Sequence, residues 1–418
     1  DQDEYGFHCR VSNGEGVADS SVALLNVYTP AVPIEGYEWG MQLVNLPSQQ
    51  EIDEFIGVGA KRVRINLDPG MTPRQGEGYN FFNYDRFLDG LHANGIKVMA
   101  NLFGSNPPRT PAERAEFARW ARFAVNRYRG RGIIWTFWNE PHDRAYWDPS
   151  NPAEYARAAV DVGRAIKRDF RNEFYTGPEA VPFEEIEPFI EVVFQEGVLR
   201  YFDAVSVHPY QWNLGPPEGA SQLYSRVRAL IARYAPPGKN VGIINSELGF
   251  SSAAVDRDPI YHGDPITQAK YVGRQMGTDL VSAVPVTTWY IWRDFLPGEF
   301  GEPDWSHFCG LVQYPLATLV YKLSWFAAYT MNGFLEGYSY QERLALGGPE
   351  DYVLQFTNCV SQRWAAWRTA DAAEINFPLA PGNYRITNYL GDFSYTVTVD
   401  QGGRDFKLTD ALQYIVPE

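Results

Sequence analysis

The sequence predicts an α/β fold: a (β/α)8 TIM barrel with a C-terminal antiparallel β-sandwich behind it and a short N-terminal β-hairpin before it. Three observations predict this. From Gly36 to about Gly333, short apolar runs alternate with longer amphipathic stretches, the rhythm of repeated βα units. After Gly333 the runs become short, alternating and separated by Gly, Pro and Asp, as in an antiparallel sandwich. A doubly wound sheet would carry a Gly-rich phosphate loop after an early strand, and no GxGxxG stands there. The expected division is 1–33 for hairpin and linker, 34–333 for the barrel and 334–418 for the sandwich.

The first segment, Asp3 to Gly16 followed by Ser20 to Val27, reads as two strands joined by a Gly-containing turn. It resembles the last hairpin of an immunoglobulin-type domain, where an Asp, an aromatic two residues before a Cys, and a following strand recur. Phe7 and Cys9 take the aromatic and cysteine places here, and Cys9 is expected to be unpaired. Tyr28 to Pro33 reads as a Pro-punctuated linker.

Eight barrel strands are expected at Trp39–Asn45, Arg62–Leu67, Lys97–Leu102, Ile133–Trp138, Phe174–Gly177, Ala204–Val207, Val241–Asn245 and Val286–Trp292. The helices between them have clear start signals. Ser48-Gln-Gln-Glu51 forms a capping box, and Thr110-Pro-Ala-Glu113 adds Pro at the first helical position. Asn151-Pro-Ala-Glu154 opens the fourth helix in the same way. Sandwich strands are expected to begin at Tyr352, Trp364, Ala373, Tyr384, Ser394, Asp405 and Gln413.

Composition excludes several partners. With 36 Lys+Arg against 51 Asp+Glu, a net charge of −15 and no basic run, the chain offers no surface for nucleic acid. No apolar run approaches the ~18 residues of a membrane span. Three cysteines without CxxC spacing, and six histidines of which only His208 closely follows an expected strand, supply neither a disulfide framework nor a metal set. No metal and no cofactor are expected. The 12 Trp, 26 Tyr and 25 Phe suit a chain that handles sugars. Asp1 is not a natural start, so the sequence reads as a mature or trimmed chain.

Barrels of this kind carry function at the carboxyl ends of their strands. Strand four ends in Trp138-Asn139-Glu140-Pro141-His142 and strand seven in Asn245-Ser246-Glu247-Leu248-Gly249. Two carboxylates three strands apart on one rim can face each other across a cleft. A Glu set between Trp-Asn and Pro at a buried strand end is an unusual place for a solvated side chain. Together these segments resemble the acid/base and nucleophile signatures of clan A glycoside hydrolases, families 39 and 5 above all. The likeness covers the barrel, and a sandwich behind the barrel is also familiar in family 39. It implies a retaining β-glycosidase with Glu140 as general acid/base and Glu247 as nucleophile, which demands carboxyl groups about 5–5.5 Å apart.

The same resemblance implies further roles. It sets Arg64, on strand two, against the nucleophile, and an Arg inside an apolar barrel needs such an anion. Asn139 would bond the sugar 2-OH, and His208 and Tyr210 would stand beside Glu247. One Trp of Thr288-Trp289-Tyr290-Ile291-Trp292 would floor the sugar subsite, Trp292 being preferred to Trp289 as nearer the strand's end. Phe103, Tyr146, Trp147, Trp212 and Trp305 follow strand ends as if lining a groove, which favours endo action on a polysaccharide or oligosaccharide. An exo-acting β-glycosidase and a non-catalytic carbohydrate-binding protein are the alternatives. The substrate class implies a secreted or extracellular protein, read as a monomer whose sandwich braces the barrel. The surplus of acids favours a neutral over an anionic polymer.

Overall fold

A computed structural model describes residues 31–43, 45–46, 48–211, 215–254, 263–313 and 319–418, and four short strands of backbone before them. Those four strands pair as nested antiparallel ladders, Asp3–Phe7 with Ala23–Val27 and Arg10–Asn13 with Gly16–Asp19, four strands where the sequence reading has two. Cys9, Trp212 and part of the linker lie outside the described residues.

Eight parallel strands close into a barrel: β1 (Glu38–Gln42), β2 (Arg62–Leu67), β3 (Lys97–Leu102), β4 (Ile134–Phe137), β5 (Phe174–Ala180), β6 (Ala204–Val207), β7 (Gly242–Leu248) and β8 (Val286–Trp289). Each is followed by a helix: α1 (Gln49–Gly57), α2 (Phe82–Ala93), α3 (Pro111–Tyr128), α4 (Pro152–Asp169), α5 (Glu187–Gln195), α6 (Ala220–Tyr234), α7 (Pro265–Val281) and α8 (Leu323–Leu335). The start signals act as their chemistry requires. Ser48 and Thr110 each close a capping box with the Glu three residues on, and Asn151 accepts from the Glu154 amide.

Alternation along the strands sorts the side chains. Met99, Ile134, Ala204, Ile244 and Val286 form an apolar layer inside the barrel. Below it Arg62 is buried against Glu38, which also binds Lys97 at 2.7 Å. A charge so deep in the barrel is tolerable because Arg62 is also satisfied by the carbonyl of Val98. Gly40 lets β1 and β2 close up at this level, since a Cβ there would meet the Arg62 carbonyl oxygen at 2.2 Å. Two residues further along β2, on the same face as Arg62, stands Arg64.

The chain then forms a six-stranded antiparallel sheet in the order β9-β10-β11-β16-β13-β14, faced by the pair β12-β15. These strands are β9 (Ser339–Arg343), β10 (Asp351–Thr357), β11 (Gln362–Arg368), β12 (Ala373–Phe377), β13 (Gly382–Asn388), β14 (Ser394–Val399), β15 (Arg404–Leu408) and β16 (Gln413–Pro417). Helix α8 runs through Leu335, and Phe334 packs on Phe356 and Tyr414 of the sheet. Trp367 of β11 lies where a Cβ at Gly277 of α7 would fall, 2.3 Å from its ring, and its indole N–H donates to Glu218 at 2.6 Å. Glu218 in turn holds Arg274 of α7 through two bonds of 2.7 and 2.8 Å.

Candidate active site

The carboxyl ends of β2, β4, β5, β6 and β7 converge on one buried polar cluster. Arg64 is its centre. Its guanidinium donates to Glu247 at 2.8 Å, to Asn139 at 2.7 Å, to Glu179 at 2.5 Å and also to Gln42. Burial works against the charge on Arg64, but the Glu179 and Glu247 carboxylates outweigh it and hold the guanidinium firmly protonated.

Glu247 is 7% exposed. The ladder between β7 and β8 shifts register between Asn245 and Leu248, so the residue after Ser246 can turn toward the cleft while Asn245 bonds outward to Asp279 of α7. One oxygen of Glu247 takes the Arg64 bond, and the other accepts from the Tyr210 hydroxyl at 3.2 Å. Burial pushes its carboxyl upward, with His208 and Arg64 pulling it back.

Glu140 sits just past β4, where Trp138 and Glu140 themselves take positive φ of 65° and 39°. Two non-glycine residues in the left-handed region bend the chain sharply at the rim, a conformation held only by its surroundings. Glu140 Oε1 lies 2.8 Å from His208 Nδ1. Burial lifts its carboxyl to about 7, reinforced by Asp143 and Glu179 and opposed by His142 and Arg64. Burial acts the other way on His208, lowering it and favouring the neutral ring.

One oxygen or nitrogen each from Glu140, His208 and Glu247 lie within 4.8 Å of one another. A cation could bridge such a trio. Arg64 already supplies positive charge to Glu247 in that place, so the arrangement suits proton handling and nucleophilic attack better than metal binding. Two cavities, of about 630 and 550 Å³, lie elsewhere, beside Trp364 and Tyr384 of the sandwich and beside Tyr37 and Trp39. Neither is lined by a residue of the cluster, so the chemistry, not the volume, marks the site.

Arg64, Asn139, Glu140, His208, Tyr210 and Glu247 are therefore gathered in one place. Trp289 and Trp292 are not. Trp289 continues the outward parity of Thr287, packs on Phe250 and donates to the Cys309 carbonyl at 3.0 Å. Trp292 is 2% exposed and meets Phe55 of α1 edge to face. Neither presents an open ring face, which corrects the expectation that one of them floors a sugar site. The strand-eight aromatic whose surroundings include Glu247 and Tyr146 is Tyr290. Among the loop aromatics, Trp147 is fully buried against Trp138 and Tyr155 and is a packing residue. Phe103 packs against Trp138 and Tyr146, and Trp305 meets Tyr210 at 5.5 Å.

Glu179 and Gln42 were not expected. Pro178 cuts the apparent strand five at Gly177, yet β5 continues to Ala180 and carries Glu179 to the rim. The signal was a third Glu at a strand's carboxyl end, in Thr176-Gly-Pro-Glu179.

The sequence matches no protein-family model and no curated protein. Solved structures do match. A family 39 glycoside hydrolase from the gut symbiont Bacteroides cellulosilyticus WH2 aligns with a TM-score of 0.74 and 19% identity over 99% of this chain and 88% of that one. A monomeric β-xylosidase from Caulobacter crescentus CB15 aligns with a TM-score of 0.62 and 17% identity, covering 92% of this chain and 98% of its own. A family 30 endoxylanase from Clostridium papyrosolvens C71 gives 0.60 and 15% over 93% and 98%. At these identities the likeness is one of architecture, barrel and sandwich together.

Proposed function

We propose that the chain is a retaining glycoside hydrolase acting on β-linked polysaccharide or oligosaccharide. The observation that carries this reading is the approach of Glu140 and Glu247 oxygens to within 4.8 Å at one rim of the barrel. That spacing supports a double displacement, since an inverting pair stands about 6.5–9.5 Å apart to admit a water. The Glu247 carboxylate attacks the anomeric carbon and forms an ester bond to it. The glycosidic C–O bond breaks and its oxygen takes the proton of Glu140. Water then gives a proton to the Glu140 carboxylate and attacks the same carbon, releasing Glu247. Asn139 and the Arg64 it binds orient the 2-OH and the nucleophile.

Phe103, Tyr146 and Trp305, partly exposed aromatics on the loops after their strands, support endo action. The architectural likeness to a β-xylosidase supports the exo alternative and makes β-xylosides and xylan the first substrates to try. A polymeric substrate places the action outside the cell, and the protein acts as a monomer. The test is a panel of β-linked polysaccharides and aryl glycosides, with proton NMR of the first-formed anomer. Retention at the anomeric carbon supports the reading, and a first product of inverted configuration overturns it.

A further inference from the structure

Glu179 has no part in that scheme, yet it is fully buried beside it. One of its oxygens accepts from Arg64 at 2.5 Å, and the other is buried with no partner. Its backbone takes φ of 54°, a further left-handed residue on the same rim. His208 faces it. The Nε2 atom of His208 lies 4.0 Å from Glu179 Oε2, the oxygen that accepts from Arg64, and is itself buried with no hydrogen-bond partner, whereas Nδ1 lies 2.8 Å from Glu140 Oε1 and 3.8 Å from Glu247 Oε1. The imidazole thus lies among three carboxyl groups, with Glu140 and Glu247 on the Nδ1 side and Glu179 facing Nε2.

A neutral imidazole carries a single proton. On Nδ1 it would donate to Glu140 and favour the carboxylate there, while the Nε2 lone pair faced the negative Glu179. On Nε2 it points at Glu179 and leaves Nδ1 free to accept the proton of a neutral Glu140. We propose that Glu179 is a positioning residue: its charge selects the Nε2–H tautomer of His208, and that tautomer keeps Glu140 in the protonated form that can act as an acid. The proposal rests on the reading of Glu140 as the acid. The other groups facing the imidazole are Glu247 from β7 and Arg64 from β2, with His142, Asp143 and Tyr146 nearby on the loop after β4. Arg64 spends one amino group on Glu179, so the same carboxylate also fixes the cation that serves Glu247.

The test is Glu179→Gln, which keeps the shape and an oxygen for Arg64 but removes the negative charge that faces His208 Nε2. Histidine tautomers are read by 15N NMR, His208 being assigned by its loss in His208→Asn, and kinetics are followed against pH. The expected result is Nε2–H in the unmodified protein and Nδ1–H in Glu179→Gln. The basic limb of kcat then moves down by one pH unit or more while KM changes less than threefold, and Glu179→Asp restores the limb in part. An Nδ1–H tautomer in the unmodified protein overturns the proposal even if the variant fails to fold. So does an unmoved basic limb in a folded Glu179→Gln. Glu140→Gln is run alongside: full activity there refutes the acid assignment itself, and the tautomer measurement still reads the effect of Glu179 separately.

Discussion

Arg64 and Glu247 are joined by an N–H···O bond of 2.8 Å at the mouth of the barrel, whereas the hydrogen-bond partner of Glu140 is the His208 imidazole. Two carboxylates in one buried site thus meet different company. In the proposed mechanism the one bound to a guanidinium carries the charge, and the one against the imidazole carries the proton.

Removing either carboxyl group separates their roles. Glu140→Gln is expected to lower kcat about 10²–10⁴-fold on substrates with poor leaving groups and far less on activated aryl glycosides, as loss of a general acid does. Glu247→Ala is expected to abolish turnover on both, with azide restoring it as a glycosyl azide of inverted configuration. Product NMR in azide checks both.

The pH profile should be a bell. Activity needs Glu140 protonated, so it falls as pH rises through about 7, where burial has lifted that carboxyl. It also needs Glu247 ionised, and since burial raises that group, the acid limb should lie above the ordinary carboxylate range. Both limbs are read from kcat/KM against pH, which reports the free enzyme.

Stability should move with the same proton. A carboxyl whose folded value is raised favours the fold while protonated, and that advantage is lost as pH rises from about 4.3 toward 7. Glu140→Gln never ionises. Its melting temperature should therefore exceed that of the unmodified protein at pH 8, by an amount equivalent to about 1–3 kcal/mol, and match it at pH 4. Scanning calorimetry at the two pH values decides this.

Arg64→Met leaves Glu179 and Glu247 buried without their cation. Breaking a buried pair from one side costs about 3–5 kcal/mol, so denaturant unfolding should show a loss of that size at neutral pH. Arg64→Lys should recover part of the stability but little activity, because an ammonium cannot reach Gln42, Asn139, Glu179 and Glu247 in one plane.

Tyr290→Ala is expected to raise KM for oligosaccharides at least tenfold with modest change in melting temperature. Trp292→Ala should do the reverse, costing about 3–5 kcal/mol through the cavity left against Phe55.

Much of this molecule is written in local signals. Ser48, Thr110 and Asn151 announce helices through short-range capping, and the runs at Arg62, Lys97 and Ala204 coincide with strands because each sets β-branched or other apolar residues at close intervals in a short buried segment. The ends were harder. β8 stops at Trp289, although the apolar run continues to Trp292, and β5 passes through a proline that marks an end by rule. In both cases neighbouring strands overrode the local preference, and each override changed the site. The first turned the strand-eight tryptophans outward, and the second brought in Glu179. Arg64 could be read as needing an anion, but its division among four acceptors depends on strands distant in sequence and has no short-range signature.

Trp367 seated over Gly277 has a bearing on how the chain can be cut. The helix it clamps, α7, directly follows the strand that bears Glu247, and its Asp279 bonds Asn245 two residues before that glutamate. A shortened gene ending after α8 would strip the outer support from this helix and leave its glycine face open to water. Such a product would keep every residue of the proposed chemistry and still hold its nucleophile loosely, so the two parts are best treated as one unit of inheritance and of engineering.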